Sequence, residues 1–204
     1  MASLIHAVTV YCSSSKRVAA HYIDAARELG EGIARGGWVL VYGGNKIGCM
    51  GIMADAARAA GGKVVGITPQ LMVDKGIGDE KCDELIVTEG MRERKALLEQ
   101  RGDAFVVLPG GIGTLEEVFE ILVGKSLGYH KKAIVLVNVG DFFGPLLTML
   151  EHGMREGFIK ERVKEMMFVA KGVGEAIEYL KKQSEATPPP PPGERVEGVP
   201  SAME

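Results

Sequence analysis

Residues 109 to 117 read Pro-Gly-Gly-Ile-Gly-Thr-Leu-Glu-Glu and follow directly on the apolar run Ala104–Leu108. An apolar run, a glycine-rich turn and then a helical pattern set unobstructed backbone N–H groups at the positive end of a helix. Phosphate is the natural guest of such a turn. Glu117 departs from a plain phosphate cradle, because a negative charge one turn into the helix opposes an anion. Two readings of it stay open. Thr114-Leu-Glu-Glu117 fits a Ser/Thr-x-x-Glu capping box, in which Glu117 returns a hydrogen bond to the helix start; the alternative is a carboxylate working on a ligand. Glu116 beside it reads as a solvated first-turn acid suited to the helix dipole.

Two further strand-to-helix turns carry polar or glycine-rich residues. One is Cys12-Ser-Ser-Ser-Lys16 and the other is Tyr42-Gly-Gly-Asn-Lys-Ile-Gly-Cys-Met-Gly51. Taken singly, each is a tight turn chosen for backbone freedom. All three on one sheet edge point to a phosphorylated ligand. Neither turn meets the dinucleotide fingerprint or the P-loop spacing, so NAD and ATP are disfavoured. In Met91-Arg-Glu-Arg-Lys-Ala-Leu-Leu98, positions 91, 94, 95 and 98 share a helix face that Met91 and Leu98 mark as inward. Arg94 and Lys95 in the middle of that face need a partner, either an internal carboxylate or an anionic ligand. His130 reads as a surface loop residue, and Met50, Met53 and Met72 as core filler. No His, Asp, Glu or Cys cluster has metal-ligand spacing, so no metal is expected. No lysine stands in a Schiff-base context, and no cofactor is expected.

The elements that position these residues alternate. Strands are predicted over 7–12, 38–42, 63–68, 84–88, 104–108 and 133–138, several of them apolar without alternation, as in strands covered on both faces. Helical patterns fall near 17–35, 49–60, 91–101, 114–127, 142–156 and 173–182. The order implies an α/β fold: a single doubly wound, mostly parallel sheet with helices on both faces and ligands at the carboxyl ends of its strands. The chain has 204 residues, 46% hydrophobic, enough for one sizeable core, and a formal net charge of −3 argues against a nucleic-acid partner. Three widely spaced cysteines, Cys12, Cys49 and Cys82, favour reduced thiols in the cytoplasm. The N-terminus does not read as a signal peptide, and no apolar run is long enough for a membrane span. Residues 1–183 are expected as one Rossmann-like domain. Residues 184–204, with the five prolines Pro188–Pro192, read as a Pro-rich disordered tail, inert or an SH3-type ligand.

The stretch Pro109-Gly-Gly-Ile-Gly-Thr-Leu-Glu-Glu117, with Met91-Arg-Glu-Arg-Lys95, Tyr42-Gly-Gly44 and Met50-Gly51, closely resembles the LONELY GUY family, from about Ala7 to Ile159. Those proteins are cytokinin riboside 5′-monophosphate phosphoribohydrolases, often mislabelled lysine decarboxylase. The family's Pro-Gly-Gly-x-Gly-Thr-x-x-Glu glutamate falls on Glu117, and the arginine of its Arg-Lys pair falls on Arg94. The resemblance implies a Rossmann-like homodimer with an active site shared between subunits. It also implies N-glycosidic hydrolysis of a cytokinin riboside 5′-monophosphate or AMP-type nucleotide, to free base and ribose 5-phosphate. Glu117 would stabilise a ribosyl cation or activate water, and Arg94 would serve the departing base, by analogy with glycoside hydrolysis. Phosphate would rest on Gly110, Gly111, Gly113 and Thr114, with Gly43, Gly44 and Ser14 as further contacts and Lys95 and Met91 touching substrate. The alternative is a module that binds or signals with a nucleotide without cleaving it. Four departures stand out: Ser13 for glycine, Asn45-Lys46 for Gly-Ser, Arg92 for histidine, and Leu122–Gly128 without the usual Trp and Gln.

Overall fold

A computed structural model of the chain describes residues 4–185. Seven strands occur in it: β1 (Ala7–Tyr11), β2 (Val39–Tyr42), β3 (Val64–Pro69), β4 (Glu84–Thr88), β5 (Ala104–Val107), β6 (Ala133–Val137) and β7 (Phe168–Ala170). The helices are α1 (Ala20–Arg35), α2 (Gly48–Ala59), α3 (Gln70–Asp74), α4 (Met91–Arg101), α5 (Ile112–Leu127), α6 (Gly144–Arg155) and α7 (Val173–Glu185). The Pro-rich segment lies outside the described residues.

Strand order is β4-β3-β2-β1-β5-β6-β7, and every pairing is parallel. The sheet expected to be mostly parallel is thus wholly so, apart from one isolated antiparallel bridge between Asn45 and Gly78 outside the strands. Parallel neighbours need crossovers, and the crossover helices cover both faces. Leu29 and Ile33 of α1, Met53 and Ala57 of α2, and Ala176 and Leu180 of α7 pack on one face with Val8, Val10, Leu40 and Val106. Leu98 of α4, Val118 and Ile121 of α5, and Phe143 before α6 cover the other with Val41, Phe105, Val107 and Leu136. Buried on both sides, β3 and β5 have no exposed residue, which is why their sequences show no alternation.

Winding proceeds outward from β1 through β2 and β3 to β4, then restarts on β1's other side with β5. The reversal falls between β1 and β5, where Tyr11 pairs with Val107. Loops leaving two such strands diverge to opposite faces and open a crevice at their carboxyl ends.

One strand and one α-helix escaped the sequence reading, as did the short 3-10 helices Val139–Asp141 and Glu161–Met166. The three-residue edge strand β7 is half-buried, and the five-residue α3 buries nothing, so neither carries a periodic signature. His130 is also different from its expected surface position. It is buried, a ring nitrogen donates to the Ile121 carbonyl at 2.9 Å, and its ring meets Phe105 edge-on at 5.4 Å.

Candidate active site

The three unusual turns meet at the crevice. Leaving β1, the Ser13 hydroxyl accepts the Ser15 N–H at 3.0 Å, and the Ser15 hydroxyl accepts the Arg17 N–H at 3.1 Å. The Ser13 carbonyl accepts the Met50 N–H at 3.3 Å, tying this loop to the first turn of α2. Leaving β5, the chain passes through Pro109 and Gly110 and enters α5 at Ile112, with Gly111 as the extended residue ahead of it. The helix therefore starts earlier than the capping-box reading requires. Thr114 is already inside α5, and the Glu117 carboxylate turns to Arg94 instead of the helix start.

That pairing is the centre of the site. Arg94 Nη1 donates to Glu117 Oε1 at 3.1 Å, with both side chains only 6% exposed, and Arg94 Nε donates to the Ile67 carbonyl at 3.2 Å. Together they form the floor of a cavity of about 340 Å³. Cys12 and the three serines of the β1 loop line it, with Gly111, Gly113 and Thr114 of the β5 loop. Asn45 and Met50 enter from the β2 turn, Pro69 and Met72 from the end of β3 and α3, and Met91 from α4.

Electrostatics set Glu117 apart. Burial pushes its carboxyl up to about 7, against the pull of the Arg94 charge and its hydrogen bond, with Glu116 and Glu120 adding repulsion. Near neutral pH the group is poised between acid and base, the condition in which a proton-transferring carboxyl is most effective. Cys12, also in the cavity wall, is held as a neutral thiol well above its usual range, first by burial.

Of the residues singled out in the sequence, Glu117, Arg94, Gly111, Gly113, Thr114, Ser14 and Met91 line this cavity. Four others are placed around it instead. A Cβ on Gly43 would fall 2.1 Å from Arg94 Nη2 and 3.2 Å from the Met50 sulfur, so glycine there makes room for the guanidinium. Gly44 turns the chain with φ +64°, and its carbonyl accepts the Asp79 N–H at 2.8 Å. Gly110 packs beneath Thr114, whose hydroxyl a Cβ would meet at 2.1 Å. Lys95 reaches along the helices: its Nζ lies 2.8 Å from Glu116 and 3.3 Å from Glu120, bracing α4 against α5. Glu116 is thus a partner of Lys95 as well as an exposed first-turn acid. Gly43→Ala is expected to cost about 1–3 kcal/mol through overpacking, read as a lower denaturation midpoint, with loss of whatever activity depends on Arg94.

Asn45, Pro69 and Met72 went unnoticed as cavity residues. Asn45 was visible only as a departure from the family pattern. Met50 is core filler as expected and also reaches the cavity; Met72, expected as core filler, lies in the cavity wall instead, and Met53 is wholly buried as expected. Asp79 was missed as well. It is buried and accepts from the Tyr42 hydroxyl at 2.7 Å and Arg58 at 3.0 Å, anchoring the turn after β2 from beneath. Only its neighbours in space reveal that role.

A wholly parallel doubly wound sheet, with a glycine-rich helix start and a buried arginine–glutamate pair at its topological switch point, is the architecture of an α/β protein whose ligands enter at the carboxyl ends of the strands. Residues 50–180 match a family model described as "Possible lysine decarboxylase". A cytokinin riboside 5′-monophosphate phosphoribohydrolase of Mycobacterium tuberculosis is 42% identical over 170 residues, 83% of this chain and 90% of that one. The Oryza sativa enzyme of that name, LOG, is 39% identical over 175 residues, 86% of this chain and 72% of that protein. Among solved structures, the molybdenum cofactor carrier protein of Chlamydomonas reinhardtii superposes with a TM-score of 0.67 at 26% identity, covering 88% of this chain and 98% of that one. The chain belongs to the LONELY GUY family of cytokinin riboside 5′-monophosphate phosphoribohydrolases.

Proposed function

We propose that this protein hydrolyses the N-glycosidic bond of a nucleoside 5′-monophosphate, a cytokinin riboside 5′-monophosphate or AMP, to free base and ribose 5-phosphate. The observation that carries this reading is the buried Arg94–Glu117 pair, which lines one cavity with Gly111, Gly113 and Thr114 of a glycine-rich helix start. In this reading the phosphate rests on Gly111, Gly113 and Thr114, with Gly110 supporting the loop from beneath Thr114 and Ser14 closing over the phosphate, and the ribose lies over Glu117. Water bonds to the anomeric carbon as the bond to the base nitrogen breaks. Glu117 faces the cationic sugar and takes the water's proton, while the base leaves with the bonding electrons and collects a proton, completing addition of water. Arg94 holds Glu117 in place and offers its remaining donors to the departing base. Gly43 and Gly44 support the reading indirectly, through room for Arg94 and the shape of the turn; Lys95 does so by bracing α4 on α5.

The test is incubation with AMP, N6-isopentenyladenosine monophosphate and the matching nucleosides, with free base as readout. Base from the monophosphates and little from the nucleosides is the expected outcome. No base from any of them would leave only the reading of a nucleotide-holding module, a role consistent with a fold shared with a cofactor carrier. The pH profile gives a second check. Glu117 works as a carboxylate and its carboxyl titrates at about 7. Activity is therefore low where the group is protonated, and kcat/KM is expected to rise with pH through that value, close to tenfold per pH unit on the acid side. A profile that falls over the same range would assign Glu117 the role of acid.

The proposal includes a homodimer in the cytoplasm. Supporting it, α5 exposes Ile112 at 83%, Val123 at 54% and Leu127 at 63%, on one face with Phe119. Such an apolar stripe is costly in water and self-complementary under two-fold symmetry. Val123→Glu is expected to halve the mass measured by light scattering; a wild type already monomeric at micromolar concentration would overturn this assembly. Among the described residues, no helix is long and apolar enough to cross a membrane.

A further inference from the structure

Asn45 stands where the family resemblance expects glycine, and the mechanism above makes no use of it. Buried at 7% exposure, it nevertheless forms part of the cavity wall. Its Oδ1 accepts the Thr68 hydroxyl at 3.2 Å, and its backbone is bridged to Gly78. The first contact occupies Oδ1 and the second holds the backbone, so Nδ2 is the donor this cavity-lining side chain can offer a ligand.

Strand order decides what that ligand atom is. Loops at the carboxyl edge follow the sequence β3-β2-β1-β5, with Thr114 and the serines at the β5–β1 end. Asn45, Met50, Pro69 and Met72 lie at the β2–β3 end. A monophosphate seated on the β5 loop, with its sugar over Glu117, lays its base at the β2–β3 end. The wall there is thioether and proline, which accepts any flat ring without distinguishing its edge. Asn45 is the uncharged hydrogen-bonding side chain set into that apolar wall.

We infer that Asn45 reads the base: its Nδ2 donates to a ring-nitrogen acceptor of a purine, and the chain selects nucleotides that carry this acceptor. The inference rests on the N-glycosidase reading for the ligand's orientation. A site built to hydrogen-bond a group rejects analogues lacking it far better than an apolar pocket rejects a changed shape.

Deaza nucleotides remove one ring nitrogen at a time without changing shape. Dissociation constants for AMP and its 1-deaza, 3-deaza and 7-deaza analogues are measured by calorimetry on Glu117→Gln, which slows turnover enough for binding to be read. The series is repeated with Asn45→Gly and with Asn45→Asp added. Base release from the same compounds is followed with Glu117 intact. One deaza analogue is expected to bind about five- to tenfold more weakly than AMP when Asn45 is present, as for a single neutral hydrogen bond. That ratio falls to about one in both Asn45 variants. Asp keeps the acceptor for Thr68 and replaces the donor by a carboxylate oxygen, whose charge weakens all four nucleotides alike; the ratio between them is therefore the readout, and a merely structural Asn45 would retain that ratio in Asn45→Asp. Equal binding of all four nucleotides, or discrimination surviving both substitutions, overturns the inference. Base release with unchanged discrimination leaves the hydrolase reading intact. N6-isopentenyladenosine monophosphate is run beside AMP in both measurements: Asn45-dependent discrimination with base from neither parent nucleotide sinks the hydrolase reading alone, and binding of neither sinks both.

Discussion

Glu117→Gln is expected to lower kcat by about two to four orders of magnitude, the range for removing a positioned proton-transferring group, with AMP affinity changed only a few-fold. The substitution preserves shape and leaves an acceptor for Arg94, so the 3.1 Å contact can persist. What it removes is the negative charge that the proposed mechanism sets beneath the ribose, and with it the site for water's proton. The loss should therefore lie in kcat and leave KM nearly untouched, and single-turnover base release measures it directly. The rise of kcat/KM through pH 7 should vanish in the residual activity, because the group that titrates there is gone. Full activity in this variant would remove Glu117 from the chemistry even if the protein proves to be a hydrolase.

Arg94→Ala carries the largest expected cost in stability, about 3–5 kcal/mol at pH 8, because it leaves a buried carboxylate with no partner. The sign of its pH dependence follows from linkage. Glu117 titrates near 7 when folded, above its unfolded value of 4.5, so between those values the folded state binds more protons than the unfolded state. Its contribution to stability is complete below pH 4.5 and is lost as pH rises through 7. Removing Arg94 pushes the folded carboxyl higher still and widens that window. The variant should therefore lose most at pH 8 and little at pH 5, where Glu117 is neutral in both proteins. Urea denaturation at the two pH values tests this; an equal loss at both would mean that packing of the guanidinium, not its charge, is what matters. In the double variant Arg94→Ala with Glu117→Gln, most of the loss at pH 8 should be recovered, since the uncompensated charge has gone with the arginine.

Much of this was written in the chain. The apolar runs of β2, β5 and β6 could be read because strands covered on both faces must be apolar throughout, and the placement of a ligand at the carboxyl ends of the strands followed from the alternation of strand and helix. The pairing of Arg94 with Glu117 was legible in part. A charged residue on an inward helix face announces that it needs a partner, but spacing alone left the choice between an internal carboxylate and a ligand open. The capping box on Thr114 failed because Gly111, with no side chain to cap with, lets α5 begin before the threonine. What stayed hidden was whatever depends on convergence in space. α3 lacks a buried face, so nothing in its residues signalled that Met72 would meet Met50 and Asn45 across a cavity. Gly43 read as a ligand contact because glycine is permissive in either role. Only the position of the Arg94 side chain shows which role the space is used for.

The seam between β1 and β5 has a consequence for how this protein acquires its function. The Asp103 carboxylate accepts the Ala7 N–H across a separation of 96 residues, and everything wound between them must be in place before the serine loop and the glycine loop can face each other. Closing so long a loop is slow, and local contacts form well ahead of it. An emerging chain can thus complete its first four strands and still have no binding pocket. Recovery of nucleotide binding during refolding would act as a clock for this single long-range closure, lagging the return of helical signal from α1 and α2.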